Sequence, residues 1–440
     1  MSFIIDKQTF DDLNIFGKHG RNSIYTLFCQ TYSRKGAALL ENMFCYPLDT
    51  AEAINNRSEI IKFFRQLEMK FPFPDSLFES VDHYLSNTDS RTKLSPENNT
   101  LSRKFRSLIG AENEYEQLHK GVVSLIEIIN ISKEFVRKIK RCPGHDCYNE
   151  DITAFETVFG EANIGWTEKE KGKKRLSFSK VSDYDRILRF EENVNIHKLL
   201  HLIAYLDIYM SVGKTAKKNG FVFAQAIEKD NLLDIKGVYH PYVPDAVDND
   251  IYIDGNSNMV FLTGANMAGK STFMKSLGIA VFLAHVGFPI PAKSMTFSVQ
   301  DGIYTTINLP DNLNRGYSHF YTEVMRVKKV AQQVAKEKKF FVIFDELFRG
   351  TNVKDAYDAT VAISEAFSMR TKSTFVISTH IIEAGEVLKK VCGNIQCLFL
   401  PTVMEDGMPV YSYKLKHGVT ADRHGMVIIR NEKILDILNN

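Results

Sequence analysis

Gly264, Gly269, Lys270 and Ser271 stand as G-x-x-x-x-G-K-S within TGANMAGKST, a spacing suited to gripping a chain of phosphates. Glycine lets the backbone wrap closely around an anion, so the N–H groups along Ala265, Asn266, Met267, Ala268 and Gly269, with the positive end of the next helix, face phosphate charge. Lys270 then reaches the β- and γ-phosphates, Ser271 offers a hydroxyl to Mg2+, and Thr272 completes the ATP-binding run. A glycine-rich turn that matches by accident is the plain alternative.

A second chemical element lies in KKFFVIFDELFRG, where an apolar run delivers Asp345 and Glu346 at its carboxyl end. That is where an open α/β sheet places its ligand chemistry. Asp345 would hold Mg2+ through its water shell, and Glu346 would polarise the attacking water, because phosphoryl transfer needs an oriented nucleophile more than covalent help. Read alone, the pair is more readily an acidic turn or a helix N-cap, and the phosphate loop is what favours the catalytic reading. A third run, TFVIST, ends just before His380, whose imidazole could contact the γ-phosphate or its water. A lone histidine after a strand also arises for structural reasons.

The elements that must carry these groups follow from the pattern. Short β-branched and aromatic runs alternate with helical segments from about residue 235, which predicts an α/β domain with a mostly parallel sheet. Its clearest strands are Met259–Thr263, Phe340–Phe344 and Thr374–Ser378. The expected division is a mostly α-helical domain over 1–235 and a P-loop ATPase domain over 236–440. Within the first, apolar spacing from Ile187 to Tyr209 predicts one long packed helix ending at Gly220. Residues 141–185 open with turn formers and read as an insertion or a loop-rich tip. Cys142, His145 and Cys147 lack a second ligand pair at zinc spacing, so no metal is expected there. Lys171, Lys173, Lys174 and Arg175 form a basic run that suits either phosphate contact or a solvated surface.

Composition sets wide bounds. The 440 residues are too many for one core, and 44% hydrophobic with 25% charged is ordinary for a globular protein. A net charge of +2 argues neither for nor against nucleic acid. Six scattered cysteines do not make a disulfide framework, and no run approaches the ~18 apolar residues of a membrane span. A cytoplasmic protein is expected.

Taken together, these residues closely resemble the ATPase domain of the MutS family of DNA mismatch-repair proteins, a branch of the ABC-type ATPases. GANMAGKSTFMK resembles that family's nucleotide loop, with Asn266 and Met267 distinctive. GYSHFYTEV at 316–324 resembles its signature segment, DELFRGTNVKDA at 345–356 its Walker B region, STH at 378–380 its histidine switch, and GVYHPYV at 237–243 the entry to the domain. IIDKQTFDDLNIFG, RKGAALLENMFCYPL and the run through Arg57 are similar to the start of its helical core, and the helix near 187–217 to its lever.

The resemblance implies ATP with Mg2+, DNA as partner, and a homodimer in which Ser318 completes the neighbouring subunit's site in trans. A repair-protein partner is a further implication. His319 and Tyr321 replace the usual Thr and Met, and Leu347-Phe348 the usual Ile-Gly, changes that leave charged chemistry intact but could alter subunit packing. The chain starts at the helical core and stops at Asn440, so mismatch recognition by its own residues is not expected. Tyr413 or Tyr239 could stack on adenine.

Two functions compete. In the first, the chain is an ATP-dependent DNA-binding protein of MutS type, hydrolysing ATP at a composite dimer site in DNA repair or recombination. In the second it is a nucleotide-dependent dimeric interaction module. A transporter-energising subunit and a P-loop kinase fit the motifs less well.

Overall fold

The computed structural model describes residues 3–17, 22–87, 111–265, 267–308, 319–405, 408–420 and 437. The chain forms two compact units that interleave in sequence: residues 1–28, 43–58 and 216–440 build the first, and 29–42 with 59–215 the second.

The first unit contains the strands β1 (Ile4–Ile5), β2 (Gln225–Ile227), β3 (Leu233–Val238), β4 (Asn249–Ile253), β5 (Met259–Gly264), β6 (Ser294–Ser298), β7 (Gly302–Thr306), β8 (Phe340–Phe344), β9 (Thr374–Ser378), β10 (Ile395–Leu400), β11 (Thr402–Glu405), β12 (Met408–Tyr411) and β13 (Lys416–His417). Among the described residues, the main sheet runs β1-β7-β8-β9-β5-β10-β13, parallel throughout except for antiparallel β13. β5, β8 and β9 are buried at every position, as strands of a parallel sheet covered on both faces must be. These are the three strands expected from sequence. A smaller sheet runs β2-β6-β3-β4, and β11 pairs with β12.

Register decides what can meet. Leu262 of β5 lies opposite Ser378 of β9, and Ile377 of β9 opposite Phe344 of β8. The carboxyl ends of three neighbouring strands therefore converge at Gly264, Phe344 and Ser378. Helix Lys270–Val286 leaves the end of β5 and is apolar nearly all round, with Phe273, Met274, Leu277, Ile279, Val281, Phe282 and Leu283 buried.

Ile4–Asp12, expected in a helical domain over 1–235, belong instead to this unit, because β1 pairs with β7 of its sheet. β1 adds the edge strand beside β7, and Gly302 is needed there because a Cβ would fall 2.2 Å from Ile4 O. Asp6 caps helix Lys7–Asp12, and Asp12 accepts hydrogen bonds from Thr305 Oγ1 (2.8 Å), Ile307 N (2.9 Å) and Asn308 N (3.0 Å). A two-residue strand leaves no periodic signal to read.

The second unit is helical among its described residues. Helix Asp75–Ser86 packs on the long helix Ala111–Ile139, and the contact is so close at Gly121 that a Cβ would lie 2.3 Å from Tyr84 Cβ. The expected single helix ending at Gly220 is instead a π-helical turn, Arg186–Glu191, followed by a helix from Asn193 to Asn219. The wide turn points Arg189 inward, where it pairs with buried Asp185 at 2.7 Å, and Asp185 also accepts from Tyr84 Oη at 2.9 Å. Val194, which falls within the apolar spacing from Ile187 to Tyr209, is exposed.

Residues 141–185 are also more ordered than a loop-rich tip. They contain helices Asn149–Glu161 and Phe178–Asp185 and two 3-10 turns, with Trp166 stacked on Tyr184 at 3.8 Å. No described helix is long and apolar enough to cross a membrane.

Candidate functional site

The glycine loop leaves β5 with Gly264 at φ 148° and reaches the helix with Gly269 at φ 97°. Backbone of this kind is costly for a residue with a Cβ, which accounts for both glycines. Met267, at φ 73°, is the exception and its side chain is exposed. No side chain caps the helix at Gly269, so its first-turn N–H groups are available to an anion. Lys270 folds back over the loop, donating to Gly264 O at 2.8 Å and Ala265 O at 3.2 Å. Its ammonium pKa is lowered by burial, against the pull of Glu346 and Asp345. Ala268 is buried beneath the loop.

Asp345 follows β8 and sits between two hydroxyls. Ser271 Oγ donates to Oδ2 and Ser378 Oγ to Oδ1, each at 2.5 Å, while Ser378 Oγ accepts from Glu346 N at 3.0 Å. Burial raises the Asp345 pKa, and the two hydroxyls oppose that rise. Glu346 adopts φ 53° and faces Arg349 at 3.4 Å. A hydroxyl beside a carboxylate at a strand end is a set of hard oxygen donors, and it fits Mg2+.

A cavity of about 660 Å³ lies over the loop, lined by Ala265, Met267, Gly269, Lys270, Ser271 and Thr272. Glu346 lines the same cavity, as do Val243, Pro244, Ala246 and Val247. Tyr413 joins this lining, its ring so near Gly269 that a Cβ there would be 3.0 Å from Tyr413 Cδ1. Tyr239 does not line it; its hydroxyl points to Asn219 O at 3.5 Å. A second cavity, about 240 Å³, is lined by Ser271, Asn308, His319, Glu323, Asp345 and Glu346.

Other expected positions fall elsewhere. His380 is exposed beyond β9 and lines neither cavity. Asn266 and Ser318 lie outside the described residues. Tyr321 is exposed, whereas Leu347 and Phe348 are buried, with Phe348 packed on Phe320 at 5.9 Å. Within the second unit, Lys171 pairs with Glu134 and Lys173 with Glu170, so part of the basic run is already neutralised. Cys142 and Cys147 donate to the carbonyls of Lys138 and Gly144, and His145 Nδ1 meets Cys142 O.

Sequence reasoning passed over the wall formed by 243–249 and the two hydrogen bonds of Ser378. No local motif marks that wall. Ser378 could have been found from strand order, since it ends β9, the neighbour of the strand that leads to Asp345.

Comparison with known proteins covers the same region. The family model described as MutS domain V matches residues 260–436. A DNA mismatch repair protein MutS of Fusobacterium nucleatum is 33% identical over 54% of this chain and 27% of its own length. The protein of that name from Leuconostoc mesenteroides is 28% identical over 76% of this chain and 40% of its own length. That from Persephonella marina is 29% identical over 57% and 29% respectively. The alignments thus span about a quarter to two-fifths of these relatives.

Proposed function

The chain belongs to the MutS family, and from that premise we infer that it binds ATP with Mg2+ at the cavity over the glycine loop and hydrolyses it. The observation that carries this reading is Asp345 held between Ser271 and Ser378 beside Glu346. Ser271 and Asp345 would hold Mg2+, which when bound neutralises phosphate charge. Lys270 exchanges its loop carbonyls for phosphate oxygens. Glu346 orients a water and takes its proton as the water oxygen bonds to the γ-phosphorus and the bond to the bridging oxygen breaks, releasing ADP. His380 would join this step only after moving towards the cavity.

The finer reading follows the family. Residues 216–440, with 1–28 and 43–58, act as the P-loop, ABC-type ATPase unit, and 29–42 with 59–215 as core and lever. Ser318 serves a second copy's site in a homodimer, and DNA is the partner of the assembly. The test is ATP turnover with and without duplex DNA. Glu346→Gln should lose about 10²–10⁴-fold in rate while ATP still binds. Absence of turnover in the wild type, or an unchanged rate in the variant, sinks the reading.

A further inference from the structure

Asn249 opens β4 with only 4% exposure, and its side chain takes the place of a neighbouring strand. Nδ2 donates to Tyr413 O at 2.9 Å and Oδ1 accepts from Leu415 N at 2.8 Å, so one amide grips the backbone on either side of Lys414. A donor contact and an acceptor contact together use both ends of the amide. Adjacent Asp248 adds an ion pair to Lys414 at 2.8 Å. Tyr413 itself stands at φ 54°, a conformation that a tyrosine keeps only when its surroundings hold it. Its ring is thereby placed against Gly269, in the cavity that Asn249 also lines.

We propose that Asn249 is the positioning residue of the base-binding side of this cavity: it holds the backbone of Tyr413 so that the ring is set beside the phosphate loop, where a purine can stack. The inference rests on the ATP reading. It assigns Asn249 a role towards the nucleoside and none towards the phosphates, and that role acts through Tyr413. A plain staple between β4 and residues 413–415 would stabilise the fold without distinguishing the two halves of the ligand.

The experiment measures calorimetric affinities for ATP and for inorganic tripolyphosphate, which carries the phosphates without the nucleoside. Asn249→Ala and Tyr413→Ala should each weaken ATP about tenfold, the scale of one lost base stack, and leave tripolyphosphate within twofold. The double variant should bind ATP no more weakly than Tyr413→Ala alone. Asn249→Asp keeps the acceptor for Leu415 N and loses the donor to Tyr413 O; it should show an intermediate loss, and it carries the test if Asn249→Ala fails to fold. Unchanged ATP binding, equal weakening of both ligands, or multiplying losses in the double variant would overturn the proposal. A wild type that binds no ATP removes the ATP reading too, whereas a binding wild type with unaffected variants removes only the role of Asn249.

Discussion

Ser378 Oγ donates to Asp345 Oδ1 at 2.5 Å, joining the end of β9 to the residue that follows β8. The same oxygen accepts from Glu346 N, so one hydroxyl fixes both acids. This hydrogen bond lowers a carboxyl pKa that burial raises. Ser378→Ala should therefore reduce kcat by about 10-fold or more, for a lost bond worth about 1–3 kcal/mol. A kcat within about twofold of the wild type would show that Ser378 does not hold the two acids in place.

Gly269 tests the loop from the other side. Its φ of 97° strains any residue with a Cβ, and that Cβ would press on Tyr413 Cδ1 at 3.0 Å. Gly269→Ala should cost about 1–3 kcal/mol in ATP affinity while the melting temperature changes little. Titration calorimetry reads the first and thermal denaturation the second; ATP affinity within twofold of the wild type would contradict the expectation.

Asp6 provides a pH dependence of stability. Burial alone would raise its pKa, but the Arg326 hydrogen bond and charge, with Lys329 and Thr9 N–H, outweigh it and hold the carboxyl below its ordinary 3.8. A depressed folded-state pKa means the stabilisation is complete above the unfolded value and fades as pH falls through it. The difference in urea stability between wild type and Asp6→Asn should be constant from pH 7 to 5 and shrink by roughly 1 kcal/mol by pH 3. A difference that stays level, or grows on acidification, has the wrong sign.

In the helical unit, Arg189 and Asp185 are both fully buried. Arg189→Met alone strands the carboxylate and should destabilise by about 3–5 kcal/mol, whereas adding Asp185→Leu should recover most of that loss. Trp166, the single tryptophan, stacks on Tyr184 in this unit and reports its unfolding by fluorescence. A double variant as unstable as the single one would show that the cost lies in packing.

The parts of this architecture that were legible in the sequence are those written in contiguous residues. β5, β8 and β9 announce themselves because burial on both faces demands unbroken apolar runs, and the loop between β5 and its helix because only glycine satisfies its backbone. Asn249 was not legible, since its partners lie 164 and 166 positions away. Nor was the π-helical turn, where one buried Arg189 overrides an apolar spacing that continues through it. Tyr413 and Tyr239 are the same residue type in equally plain surroundings, and only the fold separates the ring at the cavity from the one beside Asn219.

The pairing of Ile4 with Gly302 carries a consequence for how the protein is made. At about 5–20 residues per second, the ribosome needs roughly 15–60 s after releasing Ile4 before Gly302 emerges. Throughout that interval the first strand has no sheet to join, while the helical unit, complete by residue 215, is free to fold. Production in vivo thus includes a waiting period in which an apolar N-terminal segment is open to chaperones, and a stalled ribosome would leave it so.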